Sequence, residues 1–300
     1  MAYCSFDKKD FYKEYKSCYD KATLQRIAIS FNRFYPEKSI KNIEGLTHLQ
    51  LWNEINHRFL TECDNKDEIC WVEHLKLEHD PLVRNSLLPK TPHKWLSKPH
   101  TWLTNFNIED VMFQYEKATP SFKFLGVYPV DFSVKNGDNT CLYQETCNID
   151  MKTLLNNGIK YIGMVINLDY SDEPGSHWVS LFICIDPKQS CYGAYFYDSY
   201  SGEPPKEVKD FMLNLQKQAK KLSSKPFKLD YNKIRHQYGG SECGMFSMVF
   251  LIRWMSILKN KKDVTLNDIV NVRISDDDVF KLRQVFFRPP SSHRQLKKTT

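Results

Sequence analysis

The chain reads as an α+β protein, a central mixed sheet packed by helices, with a helical N-terminal extension. Three observations carry this reading. Apolar residues recur at helical spacing through the first ninety positions. Three strand-like apolar runs follow at 161–168, 178–186 and 192–198. Finally, 243–255 is apolar almost all round, as befits a helix in the middle of a domain. With 300 residues, 41% of them hydrophobic and 26% charged, a disordered or fibrous chain is excluded, and the length suits one large domain or two ordinary ones.

Taken in order, Leu24, Ile27, Ala28, Phe31 and Phe34 mark one helix face, and Leu49, Trp52, Ile55 and Phe59 a second. Pro81, Pro89, Pro92 and Pro99 then interrupt regular structure, which places a boundary near residue 95. Residues 1–95 thus form a helical accessory arm, 96–288 the part that carries chemistry, and 289–300 a basic, flexible tail, with order ending at Pro289 and Pro290. Asn107 can cap a helix bearing Ile108, Val111, Met112 and Tyr115 on one face. The strands at 178–186 and 192–198 flank Pro187-Lys188-Gln189-Ser190, which reads as a hairpin loop. An amphipathic helix at 205–222, a short strand at 227–230 and a last helix at 276–287 complete the expectation.

Charge and cysteine usage bound the function. Net charge is +6 overall, but the segments 1–95, 96–215 and 216–300 carry +1, −6 and +11. A basic last third favours nucleic acid or an acidic partner, with a solvated Lys-rich surface as the plainer account. No apolar run approaches the ~20 residues of a bilayer span, and the polar start has no signal-peptide core. These point to a cytosolic or nuclear protein, or one packaged into a particle, with no membrane partner. Nine cysteines stand at 4, 18, 63, 70, 141, 147, 184, 191 and 243. Without an export signal, a disulfide framework is not expected, and most read as small buried hydrophobes. Cys63 and Cys70 can pair or bind metal, but no further donor set at ligand spacing accompanies them, so no metal site is assigned.

One cysteine is placed differently. Ser241 can cap the apolar helix, which puts Cys243 in its first turn, where unpaired N–H groups and the positive dipole end favour a thiolate. Gly239 and Gly240 let the preceding loop turn, and Gly244 removes a side chain beside the sulfur. A thiolate nucleophile needs a base and the base an orienting group. A hairpin folded at the midpoint 187.5 sets His177 directly opposite Asp198, so that Asp198 can accept Nδ1–H and leave Nε2 facing the cysteine. Gln237, six residues before Cys243, can donate to the oxygen of a carbonyl under attack, together with the Cys243 N–H.

The order His-Trp, then Asp, then Gln-x5-Cys-Gly resembles the adenain and SUMO-protease clan of cysteine peptidases. Five stretches look closer still to the polyprotein-processing proteases of African swine fever virus and related giant DNA viruses: Trp102 to Ile108, Pro174 to Val179, Ile234 to Gln237, Ser241 to Gly244, and Arg273 to Asp278. The resemblance implies Cys243 as nucleophile, His177 as general base and then acid, Asp198 as its orienting group and Gln237 as oxyanion donor. It also implies substrate contacts at Trp178, Asn105, Gly240 and Gly244, with Trp178 helping to roof a narrow groove. The swine-fever-type relatives cut after Gly-Gly in structural polyproteins and carry Asn at the third triad position, where this chain has Asp198. The implied partner is a polyprotein with Gly-Gly-x sites, and no cofactor is required. The implied location is the host cytoplasm at virus assembly sites and the virion.

Other readings stay open at this level. An isopeptidase for SUMO- or ubiquitin-like modifiers would meet the same Gly-Gly ending, an acyltransferase would use the same triad, and a non-catalytic scaffold would need none of it. Asp186 competes with Asp198 only if the hairpin is absent. Asn167 and Asp169 can line the site or simply be polar loop residues. His236 reads as structural, Cys184 and Cys191 as packing residues. Trp102, Leu103 and the 108–115 face can touch substrate, though packing on the core is the cheaper account.

Overall fold

The computed structural model describes residues 3–289 except 136, 138 and 139. The described residues fall into two compact units: 94–285, and 3–93 together with 286–289. The C-terminal return is a departure from the expected 96–288 unit. Arg288 donates its N–H to the Pro89 carbonyl at 2.8 Å and accepts from Thr91 N–H at 2.9 Å, so residues 286–288 belong with the first unit. The remainder of the expected tail, 290–300, lies outside the described residues.

The first unit is helical. Asp20 accepts from Thr23 N–H to start the helix Lys21–Phe34, and a reciprocal Thr47–Gln50 capping box starts His48–Arg58. A third helix, Glu68–His74, brings Trp71 and Val72 into a core with Leu24, Ile27, Phe31, Leu51, Ile55 and Phe59. Phe34 and Leu49, expected on the inner faces, are exposed. Both sit at helix ends, where the helical stripe has already turned away from the core.

The second unit is a five-stranded sheet in sequence order: β1 (Phe122–Pro129), β2 (Tyr161–Asn167), β3 (Trp178–Cys184), β4 (Gly193–Tyr197) and β5 (Lys228–Tyr231). The outer pairs β1–β2 and β4–β5 are parallel and the inner pairs antiparallel. β1 was not anticipated; its alternation is weak because a register shift between Phe124 and Val127 interrupts it. Ile162, Met164, Ile166, Val179, Leu181, Ile183, Ala194 and Phe196 share one core with Val208, Phe211, Met212, Leu215 and Ala219 of the amphipathic helix Lys206–Leu222. Intervening strand residues meet the buried helix Cys243–Leu258: Phe182 stacks on Trp254 at 4.5 Å and Tyr197 on Phe250 at 4.6 Å. With helices on both faces, the strands read as continuous apolar runs rather than alternating ones. The expected last helix divides into Asp276–Lys281 and a single turn, Arg283–Phe286.

Two expectations are corrected. The β3–β4 loop spans 185–192, longer than the four residues anticipated, and pairs Cys184 with Gly193. The hairpin centre therefore lies at 188.5, and His177 is in line with Tyr200 instead of Asp198. The cysteines are also more than filler: Cys4–Cys18, Cys63–Cys70 and Cys141–Cys147 are disulfides, while Cys184, Cys191 and Cys243 are free and buried. Their short separations of 14, 7 and 6 residues tie local loops, so compartment-based reasoning said little about their geometry.

No helix among the described residues is long and apolar enough to cross a membrane. Gly193 is the tightest point of the sheet: a Cβ there would stand 2.5 Å from the Lys228 carbonyl oxygen. Gly193→Ala should therefore cost about 1–3 kcal/mol through displacement of β5, read as a lower urea midpoint. An unchanged midpoint would show that β5 is not packed this closely.

Candidate active site

The site forms where β3, β4 and the buried helix meet. His177 immediately precedes β3, Asp198 immediately follows β4, and Cys243 is the first residue of the helix Cys243–Leu258. One turn along that helix, Ser247 donates its hydroxyl to the Trp178 carbonyl at 3.1 Å, pinning the helix of Cys243 beside the strand that follows His177. Glu242, not Ser241, is the N-cap residue, and no side chain caps the helix. The Ser241 hydroxyl turns to the Glu242 carboxylate instead. The first-turn N–H groups thus keep their electrostatic pull on the sulfur.

Asp198 is held from several sides. Asn232 accepts from its backbone N–H at 2.9 Å and donates to its carbonyl at 2.7 Å. The carboxylate accepts from Tyr200 N–H and Gly202 N–H within a tight turn in which Ser201 takes φ +65°. A Cβ on Gly202 would sit 2.5 Å from Asp198 Oδ2, so this turn needs glycine. The same carboxylate meets His177 Nε2 at 2.6 Å. The assignment of ring nitrogens is thus the reverse of that expected: Asp198 takes Nε2, which leaves Nδ1 for Cys243. Tyr200 fills the place directly opposite, its ring stacked on His177 at 4.8 Å.

Gln237 is fully buried. Ser199 donates to its Oε1 at 2.7 Å, which fixes the amide so that its NH₂ faces Gly239 O (2.8 Å) and the Tyr200 hydroxyl (3.2 Å). Asp276 accepts N–H bonds from Tyr238 and Gly239 and so holds the loop ahead of Cys243. On the other side, Trp102 Nε1 donates to Gly240 O and Trp178 Nε1 to Leu103 O, both at 3.0 Å. Beneath the helix start, Arg283 pairs with Glu242 through two contacts of 2.9 and 3.1 Å and donates to the Pro99 and Thr101 carbonyls.

A family model described as the C-terminal catalytic domain of the Ulp1 protease family matches residues 93–287. The chain belongs to that family. The protease is accordingly a cysteine-type peptidase. It is 27% identical over 298 residues to a protein named as a thiol protease in Acanthamoeba polyphaga mimivirus, covering 92% of this chain and 90% of that one. It is 26% identical over 199 residues to a cysteine protease of African swine fever virus, covering 62% and 67%. The crystal structure of an African swine fever virus protease covers 96% of each chain with a TM-score of 0.63 at 19% identity, a likeness of fold.

The remaining candidates in the protease are placed as follows. Trp178 packs on Gly244, which is buried: a Cβ at Gly244 would meet Trp178, Leu103 and Ile108 at 3.2–3.4 Å, so the glycine makes room for the protein's own residues. Gly240 is exposed with open space at its Cβ position. Asn105 is exposed at the first position of the helix Asn105–Ala118, whose cap is Thr104, with Asn107 in the reciprocal position. Neither Gly239 nor Gly240 has a left-handed φ, whereas Gly175, in the loop before His177, takes φ +93°. Asn167 organises that loop by accepting from Asp169 and Ser176 N–H. Asp186 caps its own turn through Lys188 N–H, at the opposite end of β3 from His177. His236 is structural, held between the Tyr197 hydroxyl and the Val270 carbonyl.

Sequence reasoning missed Tyr200, Asn232, Ser199 and Arg283, and met Glu242 and Asp276 only within the stretches 241–244 and 273–278, with no role assigned to either. Tyr200 had a usable signal, since a hairpin centred one residue later places it opposite His177.

The electrostatics favour the imidazolium form of His177. Burial alone would lower the His177 pKa, but its hydrogen bonds to Asp198 and Cys243 and their charges outweigh this and raise it to about 9. Burial opposes ionisation of Asp198, yet the His177 contact and the Tyr200 and Gly202 N–H groups hold its carboxyl below the usual range. Because the folded His177 value is raised, its stabilising contribution is complete below its ordinary value near 6.5 and is lost as pH rises through about 9. The alkaline limb of kcat/KM should lie near pH 9. Asp198→Asn should move it to lower pH and cut kcat by about 10²- to 10⁴-fold. An alkaline limb unmoved by Asp198→Asn would show that the pair does not set the protonation state.

Proposed function

We propose that the protease is an endopeptidase that cuts viral structural polyproteins at small-residue sites of the Gly-Gly-x type during virion maturation, in the host cytoplasm at assembly sites and in the virion. One observation carries the reading: Cys243 is only 2% exposed, on a helix start hedged by Trp178, Leu103 and the Trp102–Gly240 hydrogen bond. A scissile carbonyl reaches such a sulfur most readily on residues that lack side chains.

In the proposed mechanism the Cys243 thiolate attacks the carbonyl carbon and the oxygen takes the negative charge. The Cys243 N–H and the Gln237 amide receive that oxygen. The Gln237 N–H now spent on the long Tyr200 contact is the one available to that oxygen once the Tyr200 hydroxyl gives way, since Gly239 holds the other at 2.8 Å. His177 then passes its proton to the leaving amine, leaving a thioester. As neutral base it next takes a proton from water, which attacks the thioester; collapse expels the Cys243 thiolate, restoring the ion pair and freeing the acid product.

Cys243→Ala or His177→Ala should give a folded protein with no measurable cleavage of a Gly-Gly-x peptide. Undiminished turnover by either would end the proposal. A second reading, a processing protease for SUMO-like modifiers, is favoured by the name SUMO-1 cysteine protease borne by relatives from other African swine fever virus isolates. Polyprotein-derived peptides and SUMO-like conjugates assayed side by side separate the two by kcat/KM.

The basic last third further suggests DNA contact alongside catalysis. Affinity for duplex DNA should then fall steeply with salt. Binding that is absent, or insensitive to salt, would remove that part of the proposal.

A further inference from the structure

Away from the triad, the first unit contains a donor set of another kind. Cys70 and His74 stand four residues apart in the helix Glu68–His74 and therefore share one face. Cys63 comes from the turn after the helix His48–Arg58, its N–H bonded to Phe59 O at 2.7 Å. One ligand atom from each of Cys63, Cys70 and His74 lies within 4.8 Å of the others, and among the described residues no other group of three His, Cys, Asp or Glu is so disposed. The Cys4–Cys18 and Cys141–Cys147 pairs lack such a third donor.

Three further facts favour a cation here. Among the described residues no hydrogen bond engages the His74 imidazole, whose recorded neighbour is the Phe59 ring at 6.1 Å. Cys70 and His74 are half-buried, which leaves the site reachable from solvent. The segment also carries Glu62, Asp64, Asp67, Glu68 and Glu73 against a single lysine, Lys66, a local field that attracts cations.

We propose that Cys63, Cys70 and His74 form a redox-gated site for one soft divalent cation of the zinc class, available when the Cys63–Cys70 disulfide is reduced. Tetrahedral ligation with metal–sulfur bonds of ~2.3 Å and metal–nitrogen bonds of ~2.1 Å sets ligand atoms roughly 3.5–3.8 Å apart. The sulfurs must separate from their bonded distance and the imidazole close by about 1 Å, both within the reach of side-chain rotation. Two thiolates and an imidazole select zinc-class ions over magnesium or calcium, and water takes the fourth position.

The chemistry balances. A phosphine reductant and one water convert the disulfide to two thiols and leave as the phosphine oxide; a dithiol reductant leaves as its own disulfide. The cation then displaces both thiol protons to solvent and forms two bonds to sulfur and one to nitrogen. It thereby restores the link between the turn and the helix that reduction had broken.

The test uses the full chain carrying Cys243→Ser, which removes the active-site thiol as a competing ligand. The phosphine-reduced protein is titrated with Co²⁺ as spectroscopic probe and back-titrated with Zn²⁺. One equivalent should bind with thiolate charge-transfer absorption and the visible bands of a four-coordinate ion, and Zn²⁺ should displace it. Adding Cys63→Ser should about halve the charge-transfer intensity. Adding His74→Ala should keep that intensity but weaken affinity at least about tenfold. Adding Cys4→Ser should change neither. His74 is a half-buried surface position, so His74→Ala decides the matter even if Cys63→Ser fails to fold. No saturable uptake, or uptake indifferent to His74→Ala, would overturn the site; uptake by the oxidised protein would overturn the gating.

Discussion

The hydrogen bond from His177 to Asp198 is the constraint on which the active site depends. It joins the residue entering β3 to the residue leaving β4, so it exists only if the hairpin is in register. It sets which ring nitrogen faces Cys243, and it opposes the loss of imidazolium that burial would impose. The surrounding structure serves to keep Asp198 still. Asn232 clasps its backbone, the Tyr200 and Gly202 N–H groups hold its carboxylate, and Ser201 is kept in a left-handed conformation to close the turn.

Cys243 is positioned by a second, independent set of bonds. Ser247 ties the helix to Trp178, and the Arg283–Glu242 pair anchors the residue before Cys243 to the carbonyls at 99 and 101. Such a buried pair contributes little net stability, because removing two charges from water costs about what their attraction returns. Its value here is geometric: it fixes where the helix begins relative to the segment carrying Trp102 and Leu103.

Much of the site was legible because strand geometry forgives even-numbered errors. The hairpin was expected to fold at 187.5 and folds at 188.5, a displacement of two residues in partner. A shift of two keeps the same face, so Asp198 remains diagonal to His177 and within reach, whereas a shift of one would have turned it away. The same error hid Tyr200, which occupies the directly opposite place. The disulfides were missed for another reason. Pairing depends on Cα separations of 5.0–5.9 Å that arise only after loops fold, and neither spacing nor inferred compartment encodes them. The Cys70–His74 spacing of four was readable but passed over, and the approach of His74 to Cys63, eleven residues away along the chain, arises only after the loop folds.

The sequence by itself determined the α+β class, the helical arm, the buried helix headed by Cys243 and the order of the triad, because periodicity and local motifs are properties of short stretches. Tertiary structure decided which ring nitrogen meets which partner, how Gln237 is oriented, what fills the space beside Gly244, which cysteines pair, and that residues 286–288 return to the first unit. These depend on contacts between residues far apart in the chain, formed only when the sheet has closed and its register is set.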